Sequence, residues 1–132
     1  MADLRILLVE DDDLNQALVP AIVARSADPV LRGARVVAAG TLARARAVLA
    51  AGGVDVVLLD VRLPDGSGLD LAAELQGWGD RACPAVILLS GAAAEHRNAA
   101  LAAGCVAVLG KPYAPAELSS LLAAHLPPDH PE

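Results

Sequence analysis

Three short apolar runs, far apart in this chain, each end on residues able to bind a metal or handle a phosphoryl group. Ile6-Leu7-Leu8-Val9 leads into Glu10-Asp11-Asp12, Val56-Val57-Leu58-Leu59 leads into Asp60, and the run ending at Gly110 delivers Lys111-Pro112. If these runs are parallel strands of one sheet, their carboxyl ends meet at the edge where open α/β sheets place their sites. Glu10 and Asp11 repel each other, so their convergence implies a cation. Hard oxygen ligands suit Mg²⁺, with Mn²⁺ as an alternative. The plainer reading of such acids is a solvated loop or the cap of the next helix. It fits Asp12 and Asp13 better, because a helix N-terminus favours negative charge. A carboxylate placed as Asp60 is, beside a cation, can attack phosphorus and form an acyl phosphate; standing alone, it would serve equally as a capping or loop aspartate. Ser90 closes Leu88-Leu89-Ser90, where its hydroxyl can donate to a phosphoryl oxygen, although serine is common at strand ends. Lys111 is the sole lysine of the chain and offers a point cation to the same charge.

The elements that must position these groups follow from periodicity. Short apolar runs alternate with 3.6-period segments, the pattern of βαβ units. Strands are expected at Leu4–Val9, Ala34–Ala39, Asp55–Leu59, Ala85–Leu89 and Val106–Leu109. Most are continuous apolar runs, as in a sheet covered on both faces by helices. Leu14, Leu18 and Ile22 give the first helix an inward face, which Pro20 should kink or divide into two segments. Ser26–Gly33 then reads as an extended connection. Thr41 is a candidate N-cap for a helix turning Leu42, Ala45, Val48 and Leu49 inward, and Leu69, Ala72, Ala73 and Leu75 form the next inward face. An alanine-rich helix runs from Ala93 to Ala103. Pro115 opens the last helix, with Leu118, Leu121 and Leu122 at core spacing and Pro127-Pro128 as its stop. Right-handed crossovers between five such units give a three-layer α/β sandwich with five helices.

With 132 residues, 55% of them hydrophobic, the chain has the size and apolar content of one folded domain. The expected division is a domain over residues 1–126 and a frayed tail over residues 127–132. No run approaches the roughly 18 apolar residues needed to cross a bilayer. Met1-Ala2-Asp3-Leu4-Arg5 lacks a signal-peptide layout. Cys83 and Cys105 have no metal-ligand spacing and read as reduced small hydrophobes, so the expected location is cytoplasmic. A net charge of −6 argues against a nucleic-acid surface, and no membrane partner is expected.

The set Leu7-Leu8-Val9-Glu10-Asp11-Asp12, Leu59-Asp60-Val61-Arg62-Leu63-Pro64-Asp65-Gly66-Ser67-Gly68, Leu89-Ser90-Gly91 and Gly110-Lys111-Pro112-Tyr113 resembles the receiver domain of two-component response regulators over nearly the whole chain. The resemblance implies a flavodoxin-like strand order, 2-1-3-4-5. It implies that Asp60 accepts a phosphoryl group from a histidine of a sensor histidine kinase or histidine phosphotransfer protein, and that the switched domain then binds an output partner. It further implies that Glu10, Asp11 and Asp60 hold Mg²⁺ together with the backbone carbonyl of Arg62. Ser90 would turn toward the phosphoryl oxygen, and Lys111 would pair with it.

This chain departs from the family in two places that bear on switching. Val108 stands where many members carry an aromatic, and Gly91 follows the switch hydroxyl where alanine is usual. His96, His125 and His130 are scattered and read as surface residues, Trp78 as a core or rim aromatic, and Arg62 as either a solvated charge or a phosphoryl contact. A Mg²⁺-dependent phosphatase with an aspartyl nucleophile is the competing enzyme reading, but such enzymes carry a second aspartate where Arg62 stands. A receiver-like module that is never phosphorylated would not need the complete set of acids, hydroxyl and lysine. The domain is expected either to stand alone or to be part of a larger hybrid kinase or regulator.

Overall fold

In each inner strand, successive side chains point to opposite faces of the sheet, and because both faces are apolar, helices cover both. The structure, a computed structural model, describes residues 3–78 and 83–126. Its elements are β1 (Arg5–Val9), α1 (Asp13–Ala24), α2 (Pro29–Arg32), β2 (Arg35–Ala39), α3 (Leu42–Ala50), β3 (Val56–Asp60), β4 (Arg62–Leu63), β5 (Gly66–Ser67), α4 (Gly68–Gln76), β6 (Ala85–Ser90), α5 (Ala93–Ala102), β7 (Ala107–Gly110) and α6 (Pro115–Ala124). The main sheet runs β2-β1-β3-β6-β7 with every pair parallel, which is the order 2-1-3-4-5 of the five long strands. Leu7, Val9, Val57, Leu59 and Leu88 face one core together with Leu42, Ala45 and Leu49 of α3 and Leu71, Ala72 and Leu75 of α4. Ile6, Leu8, Val56, Leu58 and Ile87 face the other, against Val19, Ile22 and Val23 of α1 and Leu118 and Leu122 of α6.

Six helices form among the described residues, not five. The expected extended connection at Ser26–Gly33 contains α2, whose first turn is held by Asp28: its Oδ1 accepts from the N–H groups of Val30 (2.9 Å) and Leu31 (3.2 Å). Pro29 takes the first helical position, and Leu31 is fully buried. An Asp-Pro pair is a helix start as much as a turn, and one buried leucine is enough to hold that single turn in place.

The α1 helix runs unbroken through Pro20, so the chain does not divide there. Its inward stripe is Val19, Ile22 and Val23; Leu14 is 75% exposed and Leu18 39%. Leu14 lies about 140° around the helix from Val19 and about 80° from Ile22, whereas Leu18, about 40° from Ile22, sits at the margin of the stripe. In α4 the inward residues are Leu71, Ala72 and Leu75, with Leu69 half-buried and Ala73 exposed, which corrects the predicted face by one position. The predicted Thr41 cap is present, accepting from Arg44 N–H at 3.1 Å. Its helix end is also held by Asp65, whose two carboxylate oxygens accept from Leu42 N–H (2.8 Å) and Ala43 N–H (3.0 Å). Asp65 sits between β4 and β5, a small antiparallel ribbon that periodicity did not anticipate. The expectations for Met1-Ala2, for the stop at Pro127-Pro128 and for the tail with His130 lie outside the described residues.

Candidate functional site

The first two long strands end at Val9 and Ala39 as expected, but β3, β6 and β7 each end one residue later than the apolar runs suggest, and this matters for the site. Asp60 is the last residue of β3, paired with Leu89, and Ser90 is the last of β6, paired with Gly110. Both side chains are therefore positioned by the sheet ladder itself and not by loops. Glu10 follows β1 and donates its N–H to Ala39 O at 2.9 Å, which continues the β1–β2 ladder by one bond. Lys111 follows β7 and donates its N–H to Ser90 O at 2.8 Å. The Lys111–Pro112 peptide is cis.

The charged groups converge as the sequence predicts. Lys111 Nζ donates to Glu10 Oε1 at 2.6 Å and to Asp60 Oδ2 at 3.1 Å. Carboxylate oxygens of Glu10, Asp11 and Asp60 all lie within 4.8 Å of one another. Glu10 is 1% exposed and Asp60 9%, while Asp11 is open to solvent. Asp60 Oδ1 accepts from Arg62 N–H at 3.4 Å, and Glu10 Oε2 from Asp12 N–H at 3.2 Å. Burial pushes the Glu10 carboxyl above the usual range and the charge of Asp60 adds to this; the hydrogen bond from Lys111 opposes both and does not overcome them. Burial alone would lower the Lys111 ammonium, yet its two carboxylate partners outweigh burial and raise it. Three carboxylates facing one ammonium are undercompensated, and an all-oxygen donor set of this kind fits a hard divalent cation.

Two glycine-bearing segments shape the surroundings. A Cβ at Gly68 would lie 2.1 Å from the carbonyl oxygen of Asp60, so only glycine lets α4 start directly against the end of β3. Gly91 begins the loop after Ser90, with open space where a Cβ would stand. The pocket over the site is lined by Asp11, Asp60, Val61, Arg62, Ser90, Gly91, Ala92, His96 and Lys111. Arg62 stands exposed at its rim.

His96 is the residue that sequence reasoning set aside. It is half-buried in the first turn of α5, with Nδ1 2.6 Å from Ser90 Oγ. The same oxygen accepts from Ala92 N–H at 2.9 Å. The usable signal was spacing: a helix starting at Ala93 turns its first-turn side chains back over the end of the preceding strand. His125 closes α6 as its C-cap, away from this pocket. Val108 lies within β7 beside Leu88 and packs against the α3–α4 core, as expected of an apolar strand residue. Tyr113 packs against the opposite core, and its buried hydroxyl has no hydrogen-bond partner among the described residues. Trp78 is a half-buried rim residue beside α3 and α4. Cys105 is buried, which pushes its thiol up to about 11, and Cys83 is exposed.

The family model described as response regulator receiver domain matches residues 6–123. The KDP operon transcriptional regulatory protein KdpE of Escherichia coli (strain K12) is 36% identical over 90 residues, covering 68% of this chain and 39% of KdpE. The aerobic respiration control sensor protein ArcB of the same strain is 36% identical over 120 residues, covering 90% of this chain and 15% of ArcB. The chain thus spans about two fifths of one relative and a far smaller share of the other. Among solved structures, the receiver domain of the sensor histidine kinase PA1611 from Pseudomonas aeruginosa PAO1 superposes with a TM-score of 0.78 at 29% identity, covering 94% of this chain and 98% of that one. That crystal structure has a magnesium ion coordinated in its active site cleft.

Proposed function

This chain belongs to the response regulator receiver domain family, the phosphoacceptor unit of two-component signalling, and from that premise we propose that Asp60 is its phosphoacceptor. The donor is a phosphohistidine of a sensor histidine kinase or histidine phosphotransfer protein. A carboxylate oxygen of Asp60 forms the new P–O bond as the P–N bond breaks. The bonding pair stays on the imidazole nitrogen, which takes a proton, and the product is an acyl phosphate on Asp60. The single observation that carries this reading is the ammonium of Lys111 bound to two strand-end carboxylates, with a third within 4.8 Å.

Glu10, Asp11 and Asp60, with the backbone carbonyl of Arg62, would hold Mg²⁺, and Mn²⁺ would serve in its place. When bound, that ion offsets the repulsion between an anionic nucleophile and an anionic phosphoryl group. Lys111 exchanges a carboxylate for a phosphoryl oxygen, and the Ser90 hydroxyl donates to another. The phosphoryl state then sets which output partner the domain binds, in the cytoplasm, with residues 1–126 as the switching unit. Arg62 stands where an aspartyl phosphatase needs its general acid, which supports a signalling phosphoacceptor over a turnover enzyme.

Incubating the protein with acetyl phosphate and Mg²⁺ tests this. Intact mass should rise by one phosphoryl group, chelation of the metal should prevent it, and Asp60→Asn should abolish it. Equal labelling of Asp60→Asn, or labelling indifferent to chelator, would overturn the assignment.

A further inference from the structure

Ser90 has one proton to donate, and which nitrogen of His96 carries the ring hydrogen decides where it goes. The Ser90 Oγ is an acceptor for Ala92 N–H at 2.9 Å, a local turn that folds the strand end into α5. Ser90 is 1% exposed, and a buried hydroxyl without an acceptor is costly. Among the described residues, Nδ1 of His96 lies 2.6 Å from that hydroxyl and accepts its proton when the ring hydrogen is on Nε2.

We infer that His96 is a positioning residue that holds the Ser90 hydroxyl away from Asp60 at rest and releases it on phosphorylation, tying the first turn of α5 to the state of the site. The inference rests on the phosphoacceptor reading of Asp60 and adds to it the group that the switch hydroxyl must leave. With the ring hydrogen on Nε2, the one hydroxyl proton cannot serve both Nδ1 and a phosphoryl oxygen, so the two states exclude each other. The helix on the other side of the bond is weakly held. Ala100 is the one buried residue of α5, and the Ala92 N-cap has no side chain able to bond the free N–H groups of the first turn. A helix with so little buried apolar area shifts at low cost, so losing the Ser90–His96 bond removes much of what fixes its N-terminal end. In this chain, with Val108 in place of a ring, α5 itself carries the movement.

The test uses the full chain with Mg²⁺, and beryllium trifluoride as the phosphoryl stand-in. His96→Ala should bind the fluoride about fivefold more tightly than wild type, the gain from removing one resting-state hydrogen bond. Amide exchange over residues 93–102 should be faster in that variant before fluoride is added. His96→Asn, whose amide can occupy the place of Nδ1, should restore both values. In the wild type, the ¹⁵N resonance of Nδ1 should move when fluoride binds, a readout that needs no variant and decides the matter even if His96→Ala fails to fold. An affinity for His96→Ala within about twofold of wild type, an asparagine variant that behaves like alanine, or an unmoved Nδ1 resonance would overturn the latch alone. A folded wild type that takes no fluoride would overturn the Asp60 reading and the latch with it.

Discussion

Replacing Lys111 with methionine keeps the aliphatic stem and removes only the ammonium that joins Glu10 to Asp60. The Glu10 side chain is 2% exposed and that of Lys111 22%, so water cannot replace the lost partner at Glu10. Each charge-assisted hydrogen bond contributes roughly 1.5–3 kcal/mol. Relief of burying the ammonium offsets part of the sum, which leaves a net loss of about 3 kcal/mol at neutral pH in the metal-free protein. For a domain of this size that is a fall of about 10 °C in Tm. The loss should depend on pH with a definite sign. Burial already raises Glu10 above its ordinary 4.5, and without Lys111 it rises further. A carboxyl raised in the folded state favours folding when protonated and loses that contribution as pH rises through the folded value. The penalty should therefore shrink as pH falls from 7 toward 4.5, and it should also shrink when Mg²⁺ supplies the missing positive charge. Thermal unfolding of both proteins at pH 5 and pH 7, with and without Mg²⁺, checks this. A loss below about 1 kcal/mol, or one indifferent to both pH and metal, would refute the claim that Lys111 compensates buried carboxylates.

Asp11→Ala should lower Mg²⁺ affinity about tenfold or more while leaving the metal-free fold intact, because Asp11 is exposed and supplies one of three clustered carboxylates; calorimetric titration of the folded variant reads it, and wild-type affinity would make Glu10 and Asp11 mere loop acids. Asp65→Ala should destabilise the domain by uncapping α3, and the deficit should be full above pH 3.8 and vanish as pH falls through the depressed native value, since the hydrogen bonds from Leu42 and Ala43 N–H lower that carboxyl. A deficit that persists unchanged at pH 2 in urea titrations would contradict the cap. Native protein at pH 8 should release one thiol equivalent to a disulfide reagent, from exposed Cys83, and the second only on unfolding, because a Cys105 thiol raised to about 11 is almost wholly protonated there.

What the sequence made legible is what depends on local pattern. Strands that are buried on both faces read as apolar runs, and the acids, hydroxyl and lysine that close those runs had to meet once the runs were parallel. Elements fixed by a tertiary contact were harder to see. The α2 turn depends on Leu31 finding the core, and the β4–β5 ribbon depends on Asp65 reaching the N-terminus of α3. The face of α1 was legible at Ile22 but not at Leu14 and Leu18, which look like core by type, while the stripe set by Val19, Ile22 and Val23 leaves Leu14 in solvent and Leu18 at its margin. His96 was missed for a similar reason. A lone histidine in an alanine-rich helix carries no motif, and its meaning comes from the way Gly91 and Ala92 fold α5 back over Ser90.

The most direct test of the account is the location of the covalent bond. Protein treated with acetyl phosphate and Mg²⁺, reduced with borohydride and digested, should carry homoserine in place of aspartate at position 60, the reduction product of an aspartyl phosphate, and at no other acidic residue. Homoserine at Asp11 or Asp12, or an unmodified Asp60 in protein that has gained a phosphoryl mass, would contradict it.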